Sequence, residues 1–240
     1  MIYLNIETLI GENFGMNFNT YDFSDRGINI DSSHMCPLEC PKCQRQAIRK
    51  RGHKVPGRAM PWEDFIKIAK FFKTGLIFCG QISDPSANPL MIDMLKYCYE
   101  HKIKIGLNTA ASHKPIKWYK EAFEANSLAH WIFGVDGLPK DSHKYRINQD
   151  GPKLFEVMKM GAKMGNNIRW QYIAFNYNEN NIEEARQLAK DNGIQFDVIH
   201  SGRWETKDPL KPRNPNYYLN SKRDKFYKDY KIALEQALKK

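Results

Sequence analysis

Six short runs of apolar, often β-branched residues recur along the middle of this chain, separated by segments with helical periodicity. The strand candidates are Gly27–Asp31, Leu76–Cys79, Ile103–Leu107, His130–Val135, Ile168–Phe175 and Gln195–Ile199. Pro61, with Glu63 and Asp64 behind it, opens the first intervening helix, whose stripe is Phe65, Ile66, Ala69, Phe71 and Phe72 and whose end is Gly75. Further helices are predicted over Asn88–His101, Ile116–Glu124, Lys153–Met164 and Ile182–Asn192, the last capped by Asn180 or Asn181. Strict β–α alternation means parallel strands joined by right-handed crossovers, hence a doubly wound sheet or a barrel. The unbroken apolar run Leu76–Cys79 predicts a strand covered on both faces.

The loop after the first strand carries the chemistry. Three of the five cysteines, Cys36, Cys40 and Cys43, fall there with the spacing C-x3-C-x2-C. Pro37 and Pro41 forbid a regular helix through the loop, so the thiols can converge. Converging thiolates bind soft metals, and both a closed zinc site and a ferredoxin-type cluster ask for four protein ligands. Cys79 and Cys98 lie in a strand and a helix, far away in sequence, and His34 stays open as a fourth donor. Three thiolates leave one coordination position for a ligand from outside. An odd number of cysteines, clustered this way, reads as metal chemistry in a reducing compartment and not as a disulfide framework.

Cys36, Cys40 and Cys43 match the signature of the radical S-adenosylmethionine (radical SAM) superfamily, which this chain resembles over about residues 27–201. The resemblance implies an incomplete (β/α)6 parallel barrel with a short N-terminal extension and a C-terminal helix. It further implies a 4Fe-4S cluster on the three cysteines and S-adenosylmethionine on the remaining iron. The implied activity is reductive cleavage of that cofactor to a 5'-deoxyadenosyl radical, which abstracts hydrogen from a substrate, and such enzymes are oxygen-sensitive. A structural zinc site or three unrelated buried thiols is the competing reading.

In a parallel barrel the reactive residues follow the strands. After the second strand, Gly80, Gln81, Ser83 and Asp84 stand where the family has Gly-Gly-Glu-Pro, a segment that binds the amino group of S-adenosylmethionine. Gln81 and Ser83 depart from that pattern, and Asp84 replaces the glutamate. Asn108 and Thr109 resemble the family's Asn-Thr-Asn-Gly segment near the ribose, with Ala110 and Ala111 replacing its end. Val135-Asp136-Gly137 resembles a segment of the peptide-modifying subgroup, which would point Asp136 into the cavity, and Lys144 and Arg146 follow as cations suited to a carboxylate. Asn176 and Tyr177 fall where the family contacts adenine. Lys42 replaces a residue that is commonly aromatic there.

These signals divide the chain into an extension over 1–26, a core barrel over 27–201, and a proline-rich connector with a helix from Ser221 over 202–240. No cysteine follows Cys98, so the cysteine-rich C-terminal domain of the peptide-modifying subgroup is not expected. The sequence has no apolar run that spans a bilayer and no signal-peptide pattern, which predicts a cytoplasmic protein without a membrane partner. Its formal charge is +10, dense at Arg45, Arg49, Lys50, Arg51, His53 and Lys54. The basic segment favours an anionic substrate and the resemblance at Val135-Asp136-Gly137 implies a peptide, so the expectation is a peptide or an anionic small molecule, with the peptide slightly preferred and a nucleotide or RNA as the alternative. The cofactors expected are the 4Fe-4S cluster and S-adenosylmethionine, supplied with electrons by a donor such as flavodoxin or ferredoxin. The contrasting reading is a non-catalytic, metal-stabilised module that uses the basic segment to hold nucleic acid or an acidic partner, with an affinity that falls steeply with salt.

Overall fold

A computed structural model describes residues 27–72, 74–80, 82–202, 204 and 207–218. The expected N-terminal extension, the helix from Ser221 and the site candidate Gln81 lie outside the described residues. Six strands form one sheet: β1 Ile28–Ile30, β2 Leu76–Cys79, β3 Ile105–Thr109, β4 His130–Gly134, β5 Asn167–Ile173 and β6 Gln195–Ile199. They pair in sequence order, and every pair is parallel. Among the described residues β1 and β6 do not pair with each other, so the barrel is incomplete, as expected.

The helices alternate as the periodicity predicts, with one addition. They are α1 Gln44–Lys50, α2 Trp62–Phe71, α3 Met91–Glu100, α4 Ile116–Ala125, α5 Gly151–Lys163 and α6 Ile182–Asp191. The short α1, starting directly at Cys43, was not foreseen, because its sequence QRQAIRK carries no apolar stripe. The Asp150 carboxylate caps α5 by accepting the Lys153 amide at 3.0 Å.

Alternation along the strands assigns two layers. Phe78, Trp131, Phe133, Trp170 and Tyr172 are fully buried and face the helices. Phe65 of α2 meets Phe78, Phe123 of α4 meets Trp131 at 5.0 Å, and Phe155 of α5 meets Trp170 at 5.6 Å. Burying each such ring stabilises the fold by roughly 1.5–3 kcal/mol before entropy is counted. The alternate residues line the lumen. Ile77 is 40% exposed, so among the described residues the apolar run of β2 is covered chiefly on its helix side. No helix among the described residues is long and apolar enough to cross a membrane.

Candidate functional site

A cavity of about 600 Å³ opens where the strands end in carboxyl termini. Cys36, Cys40 and Cys43 all line it, on one wall, and Gly80, Ser83, Asp84, Asn108 and Thr109 line it from the ends of β2 and β3. The volume suits a ligand of small-molecule or nucleoside size. Cys79, set apart in sequence, also faces this cavity because strand alternation turns it inward from Phe78. Cys98 is buried in α3 and lines a second, more apolar opening at the other end of the strands. His34 is not among the cavity-lining residues.

The cysteine loop is held from several directions. Arg45, on the first turn of α1, is 2% exposed and donates from Nη2 to the Leu38 carbonyl inside the loop. Its Nη1 donates to the Ile82 carbonyl beyond β2 at 3.0 Å. The Glu39 amide donates to the Ile147 carbonyl at 3.1 Å. Burial, followed by the nearby Asp84 charge, pushes the Cys36 thiol up to about 11, against the pull of Leu38 and Arg45. Cys40 is also raised, chiefly by burial, with Arg146 opposing. Both thiols are therefore protonated at neutral pH, and binding a metal would release their protons.

Asp84 is buried and its carboxylate is saturated by the chain itself. Oδ1 accepts from the Ser86 amide at 3.0 Å, the Ser86 hydroxyl and the Thr109 hydroxyl at 2.8 Å. Oδ2 accepts the Ala110 and Ala111 amides at 2.9 and 3.0 Å. Five donors fill the roughly four lone-pair positions of a carboxylate. Asp84 thus ties the end of β2 to the end of β3 and has no acceptor left for a ligand ammonium, unlike the role the family resemblance implies. Ser83 donates to Asp31 at 2.7 Å. A Cβ on Gly80 would stand 1.7 Å from the Ser83 carbonyl oxygen, so the glycine is required by the turn of the chain itself. Asn108 presents a buried Oδ1 without a hydrogen-bond partner to this wall.

Asp136 does not point into the cavity as expected. It is fully buried: Oδ1 accepts the Ile173 amide at 2.9 Å, and Oδ2 pairs with Arg146 Nε at 2.7 Å. Arg146 is the residue that lines the cavity, over Gly134, where a Cβ would fall 2.7 Å from Nη2. Burial is the largest influence on the arginine and lowers its pKa, but the charge and hydrogen bond of Asp136, together with the charges of Cys40 and Tyr145, outweigh it in sum, so the net shift is upward and the guanidinium stays charged. Tyr177 is held protonated by burial and donates to the Asp136 carbonyl at 2.8 Å.

Asn176 is drawn away from the cavity by the connector. Its side chain donates to the Pro209 carbonyl, and its amide to the Leu210 carbonyl at 3.1 Å. Glu179 accepts the Arg213 and Asn214 amides at 3.1 and 2.8 Å. Lys42 pairs with the buried Asp208 and lies 5.8 Å from the centre of the Trp204 ring. The proline-rich connector is therefore fastened across the cysteine loop, and Trp204 and Leu210 pack against the cluster formed by Leu38, Cys40 and Phe175.

The open sheet of six parallel strands with its covering helices finds counterparts among solved structures. Streptococcus suis SuiB bound to S-adenosylmethionine superposes with a TM-score of 0.59 at 17% identity, covering 79% of this chain and 44% of that one. The fold is that of the radical SAM enzymes. SuiB bound to its precursor peptide SuiA aligns with 88% of this chain and 47% of its own, at TM-score 0.59 and 17% identity. Methylornithine synthase (PylB) gives 0.53 at 12% identity, over 85% and 60% of the two chains. The chain spans less than half the length of SuiB. No family model matches the sequence. No curated protein matches it either.

Three thiols bordering one cavity are a donor set whose chemistry suits soft metal, an iron–sulfur cluster included. A tetrahedral zinc draws its thiolates to about 2.3 Å from one centre, whereas a cluster gives each sulfur an iron of its own. A buried guanidinium with an unpartnered Nε, and with no carboxylate pair among the described residues, stands beside these thiols. Such a cation suits a site whose occupant is net negative.

Proposed function

We propose that the protein is a radical SAM enzyme in which Cys36, Cys40 and Cys43 hold a 4Fe-4S cluster and S-adenosylmethionine occupies the cavity at the strand ends. The observation that carries this reading is that three cysteines of one loop line the cavity at the carboxyl mouth of a parallel, incomplete barrel. When bound, the cluster supplies the electron that cleaves S-adenosylmethionine to methionine and the 5'-deoxyadenosyl radical.

The chain's own residues position and shield. With the Asp84 side chain saturated, the cofactor's ammonium takes its acceptors from other groups lining the cavity. Arg146, fixed by Asp136, offers its remaining N–H groups to a carboxylate. Asn108 Oδ1 is an acceptor for a hydroxyl. Tyr145 and Phe175, 4.3 Å apart, back the loop with apolar surface that limits water around a reactive radical. A peptide substrate is favoured by the likeness to SuiB, which binds a precursor peptide. The basic-surface alternative loses its first member, because Arg45 is buried in the loop while Arg49, Lys50, Arg51, His53 and Lys54 are exposed. An electron donor of the flavodoxin or ferredoxin type, and a cytoplasmic setting, complete the proposal.

Anaerobic reconstitution with iron and sulfide, followed by reduction in the presence of S-adenosylmethionine, tests it. Four irons per chain and formation of 5'-deoxyadenosine are expected. One zinc per chain, or a full cluster that yields no 5'-deoxyadenosine, would overturn the reading.

A further inference from the structure

The two guanidinium groups that border the cavity differ in how their charge is balanced. Arg146 is neutralised by Asp136 at 2.7 Å. Arg45 is more deeply buried, its donors Nη1 and Nη2 go to neutral carbonyls, its Nε has no acceptor, and among the described residues no carboxylate pairs with it. A lone buried cation is costly unless an anion shares its site. The groups bordering the same cavity that can relieve it are the sulfurs of Cys36, Cys40 and Cys43. As ligands of a metal those sulfurs are thiolates and carry negative charge.

Resting on the proposed cluster, we propose that Arg45 is its charge-compensating and positioning residue, favouring the state that carries one more electron. Three thiolates on a doubly positive iron–sulfur core leave it net negative, and a one-electron donor adds a further negative charge without a proton. A fixed positive charge in a partly dry site stabilises the reduced form more than the oxidised one, which raises the reduction potential. Its two carbonyl bonds, to Leu38 within the loop and to Ile82 beyond β2, hold that charge in place.

The test is a redox titration of the reconstituted protein, followed by the electron paramagnetic resonance signal of the reduced cluster, with iron counted in parallel. Arg45→Gln removes the charge, and Arg45→Lys keeps it while losing the fork. The expected result is a wild-type-like midpoint for Arg45→Lys and, for Arg45→Gln, at least a tenfold fall in the reduced-to-oxidised ratio at a fixed poise, about 59 mV for one electron. If Arg45→Gln does not hold iron while Arg45→Lys loads and titrates as wild type, the charge is again the cause and the proposal stands. Equal midpoints for wild type and Arg45→Gln overturn it, as does loss of iron from both variants, which would leave only the geometry of the fork. Wild-type protein that binds no iron would instead remove the cluster reading itself, and this proposal with it.

Discussion

Replacing Asp136 by Asn tests whether the ion pair beneath the cavity holds Arg146 in place. Asp136 is fully buried and uses both oxygens, one for the Ile173 amide and one for Arg146 Nε. Asparagine keeps a single acceptor oxygen, so one of these donors is abandoned, and the guanidinium is left charged without a counter-ion. Removing one partner of a buried pair costs about 3–5 kcal/mol. At about 2–4 °C per kcal/mol for a chain of this size, Tm should fall by roughly 6–20 °C. Thermal unfolding of the metal-free protein, followed by circular dichroism, measures the change. The double variant Asp136→Asn with Arg146→Met should recover part of the loss, because the stranded charge is gone. An Asp136→Asn protein within about 1 kcal/mol of wild type, or a double variant whose loss is the simple sum of the two, would refute this account of the pair.

Alanine at Cys36, Cys40 or Cys43 should each abolish iron retention, measured as iron per chain after reconstitution, while Cys98→Ala, at the other end of the strands, retains it. Asp84→Ala leaves several buried donors without an acceptor, at about 1–3 kcal/mol each, so a loss of at least about 3 kcal/mol in denaturant unfolding is expected. Gly80→Ala should prevent the turn after β2 from closing and give protein that neither loads iron nor binds S-adenosylmethionine by calorimetry. Burial lowers the pKa of His113 and of His130, so the unfolded chain binds more protons than the folded one just below the ordinary histidine value of 6.5. Their contribution is complete above that value and is lost as pH falls through it, so Tm should drop between about pH 7 and 5 and drop less in a His113→Gln, His130→Gln variant.

The alternating scaffold was legible because short apolar runs and helical stripes are local signals that tertiary packing here reinforces. Trp131 and Trp170, at alternate strand positions, sit against helices as their periodicity demands. What the sequence concealed depends on contacts distant in the chain. Arg45 reads as one more surface cation in a basic run, and its burial is decided by carbonyls at Leu38 and Ile82 that only the fold brings together. Cys79 sits in a run apolar at every position, so the inward face could not be told from the outward one. Asp84 and Asp136 resemble ligand-facing carboxylates in their motifs, yet both are consumed by internal donors, and acceptor saturation leaves no trace in a pattern of residue types.

The fastening of Lys42 by Asp208 also bears on the order of assembly during synthesis. A nascent chain has all three sulfurs early, but Ile147, which receives the Glu39 amide, emerges much later and Asp208 later still. Domains emerge from the ribosome N-terminal first, at about 5–20 residues per second. The loop's bond from Arg45 to Leu38 is available early, but its contacts with Ile147 and Asp208 wait until most of the barrel has left the tunnel, and a metal delivered before then would meet a loop whose distant fastenings have yet to be translated.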